Sequence, residues 1–185
     1  MKYFKLEIIP QETERTRFTK LDESIINSFH EYSLQKEIYE HLEFEPFTTK
    51  KESLEYIEKL TKRIENGCAD YRLINLKGSN EIVGLFGFHS YDNYRKSIEF
   101  GFGVSPKYQR KGFFKEISNH MIYSLFKNTD LHRIFAFTSI NNNASIKGLE
   151  SLGFTREGKI RDYYFKNGEY FDAVFYNKIR KENSY

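Results

Sequence analysis

The stretch that most constrains this fold is a strand that leads through a short basic loop into a long amphipathic helix. Residues Ser97–Val104 mix aromatic and β-branched residues and stop just before Pro106, which predicts a strand. The loop Gln109-Arg110-Lys111-Gly112-Phe113-Phe114 follows, and apolar residues then recur at helical spacing to Lys127. A loop that enters a helix offers unpaired N–H groups and the positive end of the helix dipole, so this turn predicts a site for an anion such as a diphosphate. On the turn alone, a plain helix start with two solvated cations is an equal alternative.

The composition suits one globular domain, residues 1–185, with a sizeable core. Basic and acidic residues are interspersed and the net charge is only +3, which argues against a nucleic-acid binder. Cys68 is the only cysteine, so no intrachain disulfide can form and a reducing cytoplasm is the expected location. No apolar run approaches the roughly 18–20 residues of a membrane helix, so we expect a soluble protein with no membrane partner.

Hydrophobic periodicity places the remaining elements along the chain. Four helices are predicted: one from Asp22 to Tyr32, one from a capping box at Thr49 and Glu52 to Asn66-Gly67, one over Lys111–Lys127, and one that Asn141-Asn142-Asn143 opens and that runs through Ser151. Strands are predicted over Tyr3–Ile9, Arg15–Lys20, Tyr71–Leu76, Glu81–Phe88, Ser97–Val104, Ile134–Ile140, Phe154–Arg161 and Tyr170–Ile179. Gly101 and Gly103 interrupt one of these strands, which is typical of a bulge or of a ligand close to the backbone. The pattern predicts an α+β fold whose consecutive strands are antiparallel.

A second motif lies one strand downstream of the basic turn. It reads Asn142-Asn143-Ala144-Ser145 and continues to Leu149-Glu150-Ser151-Leu152-Gly153-Phe154. Together with the turn it resembles the GNAT superfamily of acyl-CoA-dependent N-acetyltransferases. The segment from Gly158 to Asp172 is similar to the branch that acetylates ribosomal-protein alanine and serine. The resemblance covers the chain from about Arg15 onward and implies a mixed α/β fold, with a twisted, mostly antiparallel sheet of about seven strands flanked by about four helices.

The resemblance also implies the cosubstrate and the residues that hold it. Acetyl-CoA would be bound through its diphosphate by the loop and through its pantetheine arm by the glycine-containing strand. The residues implied are Phe102, Gly103, Val104, Gln109, Arg110, Lys111, Gly112, Phe113, Phe114 and Asn142. Phe114 departs from the family pattern, which has a small residue there, and we expect its ring to turn into the core because it shares the apolar stripe of the helix. Asn142 has a simpler alternative role as a helix N-cap.

For the chemistry, the resemblance places Glu99 near the acceptor amine as general base, and a carboxylate flanked by aromatic residues is expected to have a raised pKa. The alternative is a Glu paired with a neighbouring cation on an exposed sheet face. Many members use a tyrosine on the short helix as the acid, but that position is Leu149 here. The related branch offers a serine instead, which corresponds to Ser145, although a serine is also common in a first helical turn.

The partners implied are acetyl-CoA and an amine acceptor, and a homodimer is left open. The acceptor is either a protein N-terminus or a small amine such as an amino sugar or polyamine, and a catalytically silent acyl-CoA-binding module is the alternative from another class. The five histidines lack metal-ligand spacing, so we expect no metal. His89 either lines the acceptor pocket or is an ordinary strand-end histidine. The many Tyr and Phe residues, Tyr32, Tyr39, Phe44 and Phe47 among them, divide between acceptor pocket and core.

Overall fold

The computed structural model describes residues 11–67 and 69–180. Its helices are α1 (Ile26–Ser33), α2 (Lys50–Glu65), α3 (Phe113–Asn128) and α4 (Asn143–Ser151). Its strands are β1 (Thr16–Lys20), β2 (Asp70–Leu76), β3 (Ile82–Asp92), β4 (Ser97–Val104), β5 (Arg133–Ser139), β6 (Thr155–Lys166) and β7 (Glu169–Ile179). The predicted fold class is confirmed in this part of the chain. The predicted strand Tyr3–Ile9 lies outside the described residues.

Local sequence signals explain several element boundaries. Thr49 caps α2, since its side chain accepts the Glu52 N–H while the Glu52 carboxylate accepts the Thr49 N–H, which is the predicted capping box. Asn167 and Gly168 both have positive φ and join β6 to β7, as their sequence indicates. β3 and β6 run further than predicted, to Asp92 and Lys166, because cross-strand pairing continues into polar residues.

The seven strands form one sheet in the order β1-β2-β3-β4-β5-β7-β6. Every neighbouring pair is antiparallel except β4 and β5, which run parallel. A long connection through α3 is what allows this parallel pair, since a hairpin cannot make one. One core lies under α3 and α4, and a second core lies between the sheet and the pair α1 and α2.

The parallel pair does not stay together along its length. β4 pairs with β5 over Ser97–Glu99 alone among the described residues, while β3 holds β4 in unbroken register from Glu99 to Val104 and β7 holds the whole of β5. The two strands therefore part after Glu99 and leave a wedge between them. α3 follows β4 and α4 follows β5, so both helices begin beyond the open end of this wedge.

Gly101 and Gly103 do not mark a bulge in β4, because the β3–β4 register passes through both of them without a shift. The irregularity lies in β3, between His89 and Asp92. The other interpretation of these glycines, a close approach to the backbone, stays a prediction.

Candidate active site

The basic loop between β4 and α3 presents backbone to solvent. Gly112 is the residue before α3 and has φ +82°, while Arg110 has φ +59°, and both are exposed. The first intrahelical bond runs from the Glu116 N–H to the Gly112 carbonyl at 3.1 Å. The N–H groups of the first helical turn before Glu116 thus have no helical partner, and they point with the helix dipole toward the loop. This arrangement suits an anion.

Arg15 supports this loop from a distant part of the chain. Its Nη1 donates to the Lys111 carbonyl at 3.0 Å, its Nε contacts the Glu116 carboxylate at 2.6 Å, and its guanidinium lies 4.0 Å from the Phe113 ring centre. Thr13 donates to the other carboxylate oxygen of Glu116 at 2.6 Å. Sequence reasoning missed Arg15, because nothing in its local pattern links it to a loop almost a hundred residues later.

The other predicted loop residues divide into exposed backbone and packed side chains. Gln109 donates through its amide to the Val104 carbonyl at 3.1 Å, which ties the loop to the end of β4. The Phe113 ring is buried, so only its backbone can meet a ligand. The Phe114 ring lies 4.5 Å from the Phe102 ring and against α4, where a Cβ on Gly148 would approach it to 2.8 Å. The expectation that Phe114 turns inward is confirmed, and its ring does not stand over the loop.

Glu99 is the last residue of β4 that pairs with β5, so its carboxylate lies where the wedge begins. Its side chain is 21% exposed. The Ser90 hydroxyl donates to its Oε2 at 3.1 Å, and the His89 Nδ1 lies 3.4 Å from the same oxygen. Burial raises the pKa of the Glu99 carboxyl above its usual value, and the Ser90 hydrogen bond acts in the opposite direction. A raised pKa suits a base that works near neutral pH.

His89 is a neutral neighbour of this carboxylate. Burial, with a smaller effect of the Arg63 cation, lowers the pKa of the His89 imidazole to about 4. At neutral pH its contact with Glu99 is therefore between a carboxylate and an uncharged ring, although the 3.4 Å separation would fit an ion pair. The alternative of an exposed Glu99 paired with a cation does not describe this environment.

A bulge in β3 brings Ser90 to the carboxylate. Ser90 has φ +57°, a conformation that non-glycine residues rarely adopt, and it lies where the β3–β4 register shifts. Bulges often re-aim one side chain next to a functional site. The sequence carried no sign of this, since Ser90 follows a regular apolar strand and precedes a polar turn.

The predicted residues of α4 lie in its first turn. Asn142 is the N-cap, and its Oδ1 accepts the Ser145 N–H at 3.0 Å. The Asn142 amide nitrogen makes no hydrogen bond to a residue that the structure describes. Ser145 is half-buried, and its hydroxyl is likewise without a partner in the described ranges. Leu149 is fully buried, so this helix offers no phenol at the position where the resemblance implies a tyrosine acid.

Comparisons with known proteins bear on this arrangement. The family described as Acetyltransferase (GNAT) domain matches residues 15–155, which is more than half of the chain. The chain belongs to the GNAT acetyltransferase family. It is 28% identical over 170 residues to the N-acetyltransferase p20 of Bacillus licheniformis, covering 92% of this chain and 96% of the relative.

Two solved structures show the same fold as this acetyltransferase. One is RimL, a ribosomal L7/L12 alpha-N-protein acetyltransferase in complex with coenzyme A, with a TM-score of 0.83, 22% identity, and coverage of 92% of this chain and 97% of that one. The other is the spermidine N-acetyltransferase from Vibrio cholerae in complex with CoA and spermine, with a TM-score of 0.75, 23% identity, and coverage of 89% and 95%. At these identities the likeness concerns the fold, and the two acceptors named differ in size and charge.

Two cavities flank the segment between α1 and α2 in this GNAT chain. The first, of about 230 Å³, lies between that segment, α2 and the face of β3 and β4 that carries His89, Gly101 and Gly103. The second, of about 280 Å³, lies toward β5 and β6 and is lined by Ser139, Tyr164 and Lys166, with Glu40 and Glu43. Leu42 lines both. Of the aromatic residues expected to divide between acceptor pocket and core, the structure places four around the first cavity: Tyr32, Tyr39, Phe44 and Phe47.

Within the described ranges, no cluster of His, Cys, Asp and Glu has the geometry to hold a metal ion. None of the helices described is long and apolar enough to cross a membrane.

Proposed function

We propose that residues 1–185 act as one N-acetyltransferase domain that transfers the acetyl group of acetyl-CoA to a primary amine. The observation that supports this most strongly is the parting of β4 and β5 directly after Glu99, with the anion loop beyond the open end. A thioester arm that enters from the loop and lies in the wedge brings its acyl group toward the Glu99 carboxylate at the wedge's closed end.

Each part of acetyl-CoA has a chemically suited partner. The diphosphate is held by the N–H groups around Gly112 and by the charges of Arg110 and Lys111. The acyl-pantetheine arm lies along Phe102–Val104, whose β5-facing edge has no strand partner in the described chain. The free amide of Asn142 donates to the same arm. N–H groups on the open edge of β4 stabilise the thioester oxygen as negative charge develops on it.

The reaction is direct attack in a ternary complex. The amine nitrogen attacks the thioester carbon, a C–N bond forms, and the C–S bond breaks. Glu99 takes a proton from the amine, directly or through one water, so that a neutral nitrogen attacks. The thiolate that leaves takes its proton from Ser145. The nitrogen gives its second proton to solvent as the C–S bond breaks, Glu99 returns its proton to solvent, and Ser145 regains one from solvent. The products are an N-acetylated amine and free CoA, and one proton is released overall when the acceptor arrives as an ammonium ion.

The acceptor is a protein N-terminus or a small amine, and an amino sugar or polyamine is the alternative. A catalytically silent acyl-CoA-binding module is the second candidate from another class. The buried Leu149 favours that candidate, because this chain lacks the acid that many relatives use.

The test measures free thiol released from acetyl-CoA with a panel of peptides, amino sugars, polyamines and simple amines. We expect turnover with at least one acceptor. When both substrates are varied, double-reciprocal plots of the initial rate should intersect, as a ternary complex requires. Glu99→Gln should lower kcat/KM by about 10²–10⁴, the usual contribution of a general base. Ser145→Ala should lower kcat with little effect on the acetyl-CoA Kd. Binding of acetyl-CoA without turnover on any acceptor would support the silent module instead.

A further inference from the structure

We infer that the acceptor of this enzyme is a primary amine that carries an uncharged aromatic or similarly bulky apolar group, which occupies the cavity of about 230 Å³ on the α1–α2 face of the sheet. This rests on the proposed function, because Glu99 marks the end at which the amine reacts. It goes beyond that function by choosing among acceptor classes.

The cavity begins two residues along β4 from Glu99, the proposed base. His89, which contacts the Glu99 carboxylate, lines it, and so does Gly101, two residues further along β4. Residues i and i+2 of a strand point to the same face and lie about 7 Å apart. A Cβ on Gly101 would come to 3.3 Å of the His89 ring, so the absence of a side chain keeps the passage between the carboxylate and the cavity open. An amine at Glu99 can thus place a group on a short linker in the cavity.

The cavity has the size and the surface for an aromatic ring. Cavities of about 150 Å³ lined by apolar side chains bind benzene, and this one is larger at about 230 Å³. On its helical side the wall consists mostly of rings from α1, α2 and the segment between them, and the Phe44, Phe47 and Tyr56 rings contact one another at centroid distances of 5.0–6.0 Å. Such a wall offers apolar area and edge-to-face contacts, but few hydrogen bonds.

The charge of this first cavity does not suit a polyamine. The only side chain with a formal charge among its lining residues is Arg63, whose Nη1 donates to the Tyr71 hydroxyl at 3.3 Å. Burial raises the pKa of Tyr39 and of Tyr56 to about 12, so these phenols stay neutral at physiological pH. Among the described residues that line the cavity, no carboxylate is present to receive the second and third ammonium groups of a polyamine, and Arg63 repels them. A ligand that directs its single amine to Glu99 and is otherwise apolar avoids two costs, the burial of unpaired ammonium groups and their repulsion by Arg63.

The experiment measures equilibrium binding by calorimetry to the full chain saturated with CoA, which carries no acetyl group, so that no reaction occurs. The probes are 2-phenylethylamine, ethylamine and spermidine. Burying a phenyl ring should make 2-phenylethylamine bind about 10- to 150-fold more tightly than ethylamine. Spermidine should bind no better than ethylamine. Equal affinities, or a preference for spermidine, would overturn the inference.

A variant of Phe44 tests whether the aromatic ring of the probe binds within the cavity. Phe44 lines the first cavity only and is 38% exposed, so Phe44→Ala can enlarge the cavity with limited damage to the fold. We expect the ratio of affinities for 2-(1-naphthyl)ethylamine and 2-phenylethylamine to rise about tenfold. Tyr94→Ala removes a ring that is 94% exposed and outside the cavity, and it should leave that ratio unchanged. An unchanged ratio in Phe44→Ala would mean that the ring binds elsewhere, which overturns the inference.

The same probes, offered with acetyl-CoA, separate the two proposals. Selective binding of 2-phenylethylamine without acetylation would contradict the proposed function and leave the assignment of the ligand class standing. Acetylation that favours spermidine would contradict the ligand class and leave the proposed function standing.

Discussion

Replacing Ser90 by glycine should move the acidic limb of the pH–rate profile to higher pH. The Ser90 hydroxyl stabilises the charged form of Glu99 through the 3.1 Å hydrogen bond to Oε2, so its loss raises the pKa of the proposed base. Glycine is the suitable replacement because Ser90 has φ +57°, which glycine adopts without strain. The hydroxyl is thus removed while the β3 bulge keeps its shape.

The expected size follows from the geometry of this bond. A hydrogen bond to a charged group contributes about 1.5–3 kcal/mol, and one pKa unit corresponds to about 1.4 kcal/mol. The Ser90–Glu99 bond is longer than the roughly 2.5–2.7 Å of short O–H···O⁻ bonds, and Ser90 is exposed to water. We therefore expect a contribution below this range, about 0.7–1.4 kcal/mol, which corresponds to an increase of about 0.5–1 unit in the Glu99 pKa.

The assay compares kcat/KM of the variant and the wild type from about pH 5 to pH 9 with one acceptor. Because the acceptor amine titrates identically in both, its contribution cancels in the ratio. The ratio should be about 0.1–0.3 below the pKa of Glu99 and should rise to about 1 at high pH. Ser90→Ala should shift the limb equally while lowering the free energy of unfolding by about 1 kcal/mol relative to Ser90→Gly. A ratio that does not change with pH would refute the link between Ser90, Glu99 and catalysis.

Three further variants test the loop and the helix cap. Arg15→Gln removes the contacts to the Lys111 carbonyl and the Glu116 carboxylate. The acetyl-CoA Kd measured by calorimetry should rise about tenfold, which is the effect of losing about 1.4 kcal/mol of loop support. The control Arg17→Gln, at an exposed neighbouring position, should bind acetyl-CoA normally. Gly112→Glu should abolish acetyl-CoA binding, because a side chain at φ +82° is strained and a carboxylate repels the diphosphate. A folded variant that binds acetyl-CoA normally would refute the loop assignment. Thr49→Ala should lower the free energy of unfolding in urea by about 1 kcal/mol through loss of the α2 cap, with the acetyl-CoA Kd unchanged, and a change in that Kd would contradict a purely structural cap.

Elements defined by short-range patterns could be predicted from the sequence. The strand Ser97–Val104, the capping box at Thr49 and the Asn167-Gly168 turn each depend on residues within a few positions, and each agrees with the structure. The backbone turn at Gly112 belongs to the same class, since a glycine between a strand and an amphipathic helix is visible in the sequence. Anion binding by this turn stays a prediction. The resemblance to the family supplied Glu99 and Ser145, whose roles stay predictions.

The features that make a site out of these residues depend on distant pairing. The wedge exists because β4 leaves β5 after Glu99 while β3 holds β4 and β7 holds the whole of β5 on their outer edges, and no local pattern encodes which strand pairs with which. Arg15 supports the loop through a contact with Glu116, which lies 101 positions later in the chain. The Ser90 bulge and the aromatic cavity likewise arise from packing between elements. A bulge at Gly101 and Gly103, one of the two interpretations of these glycines, was wrong for this reason, since the register shift occurs in the partner strand.

The central claim is that acetyl-CoA lies in the wedge between β4 and β5 with its acyl group near Glu99. A crystal structure of the chain with acetyl-CoA tests it most directly through the position of the thioester carbon. We predict the diphosphate on the N–H groups around Gly112, the pantetheine arm beside Phe102–Val104, and the thioester carbon within reach of the Glu99 carboxylate through one acceptor nitrogen or one water. A thioester bound outside the wedge, or a diphosphate bound away from Gly112, would contradict the account.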